Sequence, residues 1–287
     1  MEREQGMFEI DRNTVRGGKT VYGAAVGILV LDTKFPRMPG DIGYAPTWPF
    51  PVLYKLVRGA SGERVTTAKV NDRSTGLLDA FLKAGAELVD EGADGLTTTC
   101  GFLSIYQKEL AVHCGVPVAA SSLMQIPLVE RLLPLGRRVG VLTFNASRLT
   151  PEHFVAAGAP PDTPVVGMEN GREFWRFMAH EEETVDITAA RADILAGGEE
   201  LVTRHDNIGA VVLECTNMVP FTRALSKRLG VPVLRYLRVR QLVPRRAKPA
   251  RLQSPWRPAV STPPPPPRPE RTRSAPSPRC SHARKRI

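Results

Sequence analysis

Between residues 24 and 234, short β-branched runs alternate with stretches of helical period. That alternation predicts parallel strands joined by crossover helices. Ala24 to Leu31, Val52 to Val57, Gly95 to Thr99 and Pro117 to Ala120 read as four strands. Arg138 to Thr143, Pro164 to Met168, Ala210 to Leu213 and Val231 to Leu234 read as four more. Thr75 to Asp90 places Leu78, Phe81, Leu82 and Leu88 on one helical side, and Phe102 to Cys114 and Ile187 to His205 also have helical period. Gly197-Gly198 weakens the last of these by about 1 kcal/mol per glycine. Residues 32 to 50 form a long Pro/Gly-rich loop, which in a compact domain is usually functional.

The elements repeat. Cys100 closes one strand and opens a helix, and Gly115-Val116-Pro117-Val118 follows fifteen residues later. Cys215 does the same, and Gly230-Val231-Pro232-Val233 follows at the same distance. Val26-Gly27-Ile28-Leu29 returns as Val139-Gly140-Val141-Leu142, and Glu87-Leu88-Val89 as Glu200-Leu201-Val202. Four ordered matches at a nearly constant offset predict two α/β halves of similar fold. The expected architecture is two pseudo-symmetric domains, 24–134 and 135–234, each a four-stranded parallel sheet flanked by helices, with a cleft between them. An N-terminal extension, 1–23, precedes them.

Charge changes the picture only at the end of the chain. Residues 235–287 hold 15 Lys and Arg against one acid, Glu270, leaving 24 bases against 28 acids in the rest, so the net charge of +10 belongs to a tail. That tail also carries 12 of the 26 prolines and reads as disordered. It is either a basic arm for nucleic acid or the product of a shifted reading frame. The abrupt change and the lack of aromatic interleaving favour the second reading, and nucleic acid is not the expected partner. No apolar run approaches the ~20 residues of a membrane span, and the polar N-terminus is no signal peptide. Four cysteines make no disulfide framework, so a reducing cytoplasm is expected.

Cys100 and Cys215 carry the candidate chemistry. Ligands of open parallel sheets bind at the carboxyl ends of the strands, where both stand. A helix start there lowers a thiol's pKa. Two thiols facing one substrate suit proton transfer: one thiolate takes a proton from carbon, and the other thiol returns one to the opposite face. The carbanion's neighbouring carboxylate needs fixed donors, for which the backbone of Gly101, Thr216 and Asn217 and the hydroxyls of Thr99 and Thr216 are placed. Cys114 reads as a small core residue, and Cys280 lies in the tail.

At these residues the sequence resembles the aspartate/glutamate racemase superfamily, which includes hydantoin racemases, maleate isomerases and arylmalonate decarboxylases. The likeness covers residues 20 to 234 and rests on Thr98-Thr99-Cys100-Gly101-Phe102, Glu214-Cys215-Thr216-Asn217-Met218 and Gly27-Ile28-Leu29-Val30-Leu31-Asp32-Thr33. The resemblance implies a cofactor-independent racemase or isomerase of a small carboxylate such as an amino acid, with Cys100 and Cys215 as the proton-transfer pair. It further implies Asp32 and Thr33 as partners of substrate or cysteine, and Thr143 as a cleft residue. Asn217 stands where glutamate racemases carry histidine, which speaks against glutamate; two cysteines speak against a decarboxylase. A hydantoin racemase is the enzymatic alternative, and an inactive frameshifted homologue or small-ligand binder the other. The partner is a small-molecule substrate; a homodimer is compatible with the sequence, which leaves oligomeric state open.

Weaker signals have two readings each. Arg37 and Asp41 either bind substrate or are solvated loop charges. Ser121-Ser122 touch substrate or cap a helix, with capping favoured. Trp48, Phe50 and Tyr54 line a pocket or, by default, pack in the core. Glu181-Glu182-Glu183 reads as a solvated segment. The histidines show no metal-ligand spacing, and no Walker loop or G-x-G-x-x-G supports a nucleotide.

Overall fold

The computed structural model describes residues 18, 20–22, 26–70 and 72–236, all within one compact unit, Met1–Pro244. Expectations for Ala24, Ala25, most of the N-terminal extension and the basic tail beyond Tyr236 lie outside the described residues.

All eight expected strands form: β1 (Val26–Leu31), β2 (Leu53–Val57), β3 (Gly95–Thr98), β4 (Val118–Ala119), β5 (Arg138–Thr143), β6 (Val165–Gly167), β7 (Ile208–Leu213) and β8 (Val233–Leu234). They make two parallel four-stranded sheets ordered β2-β1-β3-β4 and β6-β5-β7-β8. Central strands β1, β3, β5 and β7 are buried along most of their length, as strands covered on both faces must be.

The helices are α1 (Gly62–Thr66), α2 (Leu77–Glu91), α3 (Gln107–Cys114), α4 (Ile126–Leu132), α5 (Pro151–Ala156), α6 (Glu173–Ala179), α7 (Ile187–Arg204) and α8 (Thr222–Leu229). In α2 the predicted stripe is buried: Leu78, Phe81 and Leu88 are sealed from solvent and Leu82 nearly so. The helix expected from Phe102 to Cys114 instead begins as a 3-10 turn, Gly101–Tyr106, and becomes α-helical at Gln107. Both Gly-Val-Pro-Val connections start with a left-handed glycine, Gly115 at φ 64° and Gly230 at φ 70°, closing α3 and α8.

The repeat is visible in the packing. A β-carbon on Gly27 would come within 2.8 Å of Leu96 and 3.1 Å of Leu88; one on Gly140 would come within 2.8 Å of Leu201. Gly27 and Leu88 thus occupy in one half the relation that Gly140 and Leu201 occupy in the other. The larger apolar core extends from β1, α2 and α3 to Val139, Val141, Phe154 and Val212, so the sheets share an interior. Ser122 ties them further, donating to Leu213 O at 2.7 Å. No helix among the described residues is long and apolar enough to cross a membrane.

Candidate active site

Each cysteine follows the carboxyl end of a central strand. After β3 the chain bends at Thr99, and Cys100, in extended conformation, caps the 3-10 turn Gly101–Tyr106. After β7 and Glu214, Cys215 likewise caps the 3-10 turn Thr216–Phe221 in extended conformation. The first turn is held by Thr98 Oγ1, which accepts from the Cys100 N–H at 3.3 Å and donates to Ala120 O at 2.7 Å. Across the halves, Thr216 Oγ1 donates to Thr99 O at 3.0 Å. Cys100 and Cys215 line one cavity of about 460 Å³.

Two groups of side chains flank the thiols in that cavity. The first comes from the loop after β1 and the turn after β7. Arg37 donates to Thr33 Oγ1 at 3.2 Å and to Asn217 Oδ1 at 3.4 Å, lies 4.7 Å from the Phe35 ring centroid, and pairs with Asp41 at 3.3 Å. Asp41 is fully buried and also accepts from the Gly43 N–H at 2.6 Å. Since Asn217 Oδ1 faces the guanidinium, its Nδ2 is the amide's donor end; it is buried without a hydrogen bond, and the residue lines the cavity. The second group comes from α1, the loop after β5 and α6. Phe144 stacks on Trp175 with centroids 4.8 Å apart, and Glu63, Arg148, His180 and Glu181 complete the wall.

Glu214 stands between the thiols' two turns. It is 2% exposed, its Oε2 accepts from Thr143 Oγ1 at 2.7 Å, and Oε1 has no hydrogen bond of ordinary geometry. Burial pushes its carboxyl up to about 7, against the opposing pull of Thr143 and of the Phe144, Phe102 and Gly101 backbone N–H groups.

The sequence leads one to expect lowered thiol pKa values, and the structure overturns this. Burial, then the charge of Glu214, pushes both Cys100 and Cys215 well above the ordinary thiol value. The backbone N–H of Phe102 at Cys100 and of Asn217 at Cys215 act the other way and are outweighed. The turns supply donors, but the surrounding protein removes the water that would solvate a thiolate.

Of the other expected site residues, Thr33, Thr99 and Asn217 line the cavity. Asp32 does not: its Oδ2 accepts from the Gly59 N–H at 2.9 Å and fixes the turn after β2. Gly101, Thr143 and Thr216 stand behind the wall, Gly101 against Glu214, Thr143 bonded to it, and Thr216 bridging Thr99 O and Asp41. Arg37 and Asp41 form a built pair rather than solvated charges. Ser121 caps the following turn, accepting from the Leu123 N–H at 3.1 Å. Trp48 and Tyr54 both donate to Ile42 O and pack beside Phe50 and Ile42, outside the cavity. Glu181, expected in a solvated segment, lines the cavity and accepts from the Gly62 N–H at 3.4 Å. Sequence reasoning missed Phe144, Trp175, Arg148 and the role of Glu214, none of which sits in a pattern that announces chemistry. Among the described residues no three His, Cys, Asp or Glu side chains gather as a metal site requires.

No family model matches the chain. Among curated proteins it is similar to a dimethylsulfoniopropionate lyase from Durusdinium sp. clade D, 26% identical over 218 residues, covering 73% of this chain and 70% of that protein. It is also similar to dimethylsulfoniopropionate lyases 5 and 3 of Emiliania huxleyi (strain CCMP1516). Both are 26% identical, covering 82% and 73% of this chain but only 46% and 56% of those proteins. The chain therefore spans about half the length of these two relatives. Among solved structures it is similar to a mutant of arylmalonate decarboxylase, with TM-score 0.49, 16% identity, and 74% of this chain and 88% of that one covered. Allantoin racemase from Pseudomonas fluorescens gives 0.47 and 18%, covering 73% and 85%. Glutamate racemase from Francisella tularensis gives 0.42 and 15%, covering 74% and 76%. The curated relatives named above are enzymes.

Proposed function

We propose that this protein is a lyase that removes a proton from the carbon beside a carboxylate and expels a neutral sulfide from the next carbon, with a dimethylsulfoniopropionate-like substrate. The observation that carries the reading is that Cys100 and Cys215 share one cavity with an anion-holding group, Arg37 and the unpaired Asn217 amide, and with an aromatic and acidic wall. A carboxylate fits the first group through charge-assisted hydrogen bonds. A sulfonium has no N–H or O–H to donate, so aromatic faces and nearby carboxylates are what can hold it. Trp175 and Phe144 supply the faces and Glu181 the carboxylate, Glu63 being paired with Arg148. The relatives' names point the same way.

In the reaction one thiolate takes the α-proton. The C–H electron pair becomes the Cα=Cβ bond as the Cβ–S bond breaks, and dimethyl sulfide leaves with that bond's pair. Acrylate and a protonated cysteine remain, and the proton passes to solvent. The developing negative charge on the substrate carboxylate is held by Arg37 and Asn217. No step calls on a metal or organic cofactor.

A second reading, racemisation of an amino acid or hydantoin, is favoured by one observation: both thiols occupy equivalent places in the two halves. Incubating the full chain with dimethylsulfoniopropionate, with dimethyl sulfide followed by gas chromatography and acrylate by NMR, tests the first. Equal release of both products is expected. If neither product forms while deuterium from heavy water enters Cα of an amino acid or hydantoin, the lyase reading is wrong and the racemase reading stands.

A further inference from the structure

We propose that Glu214 is the positioning residue that decides whether the two thiols can ionise, and that its carboxyl must keep its proton for either Cys100 or Cys215 to become a thiolate. The inference deepens the proton-transfer reading above and rests on it for its bearing on turnover.

The geometry carries it. Glu214 precedes Cys215 directly, while its side chain packs on Gly101, which directly follows Cys100; a β-carbon on Gly101 would come within 2.6 Å of Glu214 Oε1. One carboxyl group therefore touches both cysteine turns. It is buried, borders the cavity the thiols line, and forms no ion pair among the described residues. Its hydrogen bonding is lopsided: Thr143 donates to Oε2 at 2.7 Å, whereas Oε1 has no hydrogen bond of ordinary geometry, and the Gly101, Phe102 and Phe144 N–H groups act on the carboxyl only weakly against burial. Glu214 also borders a second, small cavity of about 10 Å³, which Thr98, Ser122 and Thr216 help to line. The other charged and titratable groups around the cavity are Arg37, Glu63, Arg148, His180 and Glu181, with Asp41 behind Arg37.

A second negative charge in so little solvent is costly. With Glu214 ionised, neither thiol gives up its proton readily, and the charge of Glu214 acts on both. With Glu214 neutral, a thiolate at Cys100 is met by the Phe102 N–H and the charge of Arg37, and one at Cys215 by the Asn217 N–H, with no second negative charge from Glu214. The proton is not consumed: it stays on Glu214 while the charge resides on sulfur.

Iodoacetamide alkylation of the ligand-free full chain, resolved by peptide mass spectrometry, reads each thiol without any substrate. Glu214→Gln keeps the side chain's size and removes its charge. Both Cys100 and Cys215 should then alkylate about tenfold faster at pH 9, where the parent's Glu214 is ionised, as one pKa unit implies, and only about twofold faster at pH 7, where half of the parent is already neutral. Cys114, outside the cavity, should not change. Thr143→Val removes a donor that favours the carboxylate, so it should accelerate the same two thiols by a smaller factor. Unchanged or slower alkylation at both cysteines in both variants overturns the proposal, as does an equal rise at Cys114. Because the readout needs no turnover, accelerated thiols in a protein that makes neither acrylate nor exchanged amino acid would sink the proposed function alone.

Discussion

Arg148, from the loop after β5, grips Glu63 of α1 with both guanidinium nitrogens, Nη1 to Oε2 at 2.8 Å and Nη2 to Oε1 at 3.1 Å. Nη1 also donates to Thr66 Oγ1 at 2.9 Å. Beside it Glu181 receives the Gly62 N–H, with Glu181 itself in the left-handed region at φ 51°. Two contacts thus join α1 to loops of the second sheet, and Gly62, Glu63, Thr66, Arg148 and Glu181 all line the cavity. The pair is a clasp at the cavity wall.

Arg148→Ala is expected to open that clasp without unfolding the protein. Both partners reach solvent, Glu63 being 70% and Arg148 34% exposed, so the pair is worth about 1 kcal/mol at most. The melting temperature should fall by no more than about 4 °C, while alkylation of Cys100 speeds up. A large loss of melting temperature with no change at Cys100 would make the pair a strut instead.

The two cysteines predict an asymmetry. Elimination needs one base, whereas racemisation needs a donor and an acceptor on opposite faces. With dimethylsulfoniopropionate, serine at one of Cys100 or Cys215 should lower kcat by at least about 100-fold, while serine at the other leaves most of it. Equal, near-complete losses in both variants would favour the two-base chemistry. Product release under saturating substrate decides.

Much of the fold was legible because parallel strands buried on both faces are apolar runs, and the repeat fixed their pairing into halves. Gly27 with Leu88, and Gly140 with Leu201, show why the repeat persists: strand and helix touch there, and no larger residue fits. Other features depended on depth. Gly197 and Gly198 read as weak points in a helix, yet they are where Met168 and Leu225 press against α7. Asp32 and Asp41 look alike as letters in one loop, but Asp32 fixes a turn and Asp41 is sealed behind Arg37. The cysteines were legible by position, whereas their raised pKa values were not, since burial and the Glu214 carboxylate belong to tertiary packing.

Gly140→Ala and Gly27→Ala should destabilise the protein by similar amounts, about 1–3 kcal/mol each, because each adds a β-carbon within 2.8 Å of a leucine δ-carbon in the core. Urea unfolding of the two variants checks it. A cost at one glycine only would mean that the halves have diverged in packing where they agree in sequence.

Asp41→Asn should raise KM by about tenfold with a smaller effect on kcat, since the guanidinium that holds substrate carboxylate loses its counter-charge. Asp41→Ala should cost stability as well, about 3 kcal/mol, because it leaves Arg37, only 16% exposed, without its partner. Steady-state kinetics beside chemical denaturation separates anchoring from folding; an unchanged KM in the asparagine variant would remove Arg37 from the substrate's binding set.

Glu214 makes stability depend on pH in a stated direction. Its carboxyl titrates near 7 in the folded chain against 4.5 for an ordinary glutamate. Between those values the native state keeps a proton that the unfolded chain has lost, so the slope of unfolding free energy with pH is negative. The contribution is complete below about pH 4 and is lost as pH rises through about 7, amounting to roughly 3 kcal/mol. Glu214→Gln cannot titrate. Its stability relative to the parent should therefore climb across that window and level off above about pH 8. Urea titrations of both proteins at stepped pH measure the difference directly. A flat difference would mean that the carboxyl titrates in the folded chain as it does in the unfolded one, and that burial does not govern it.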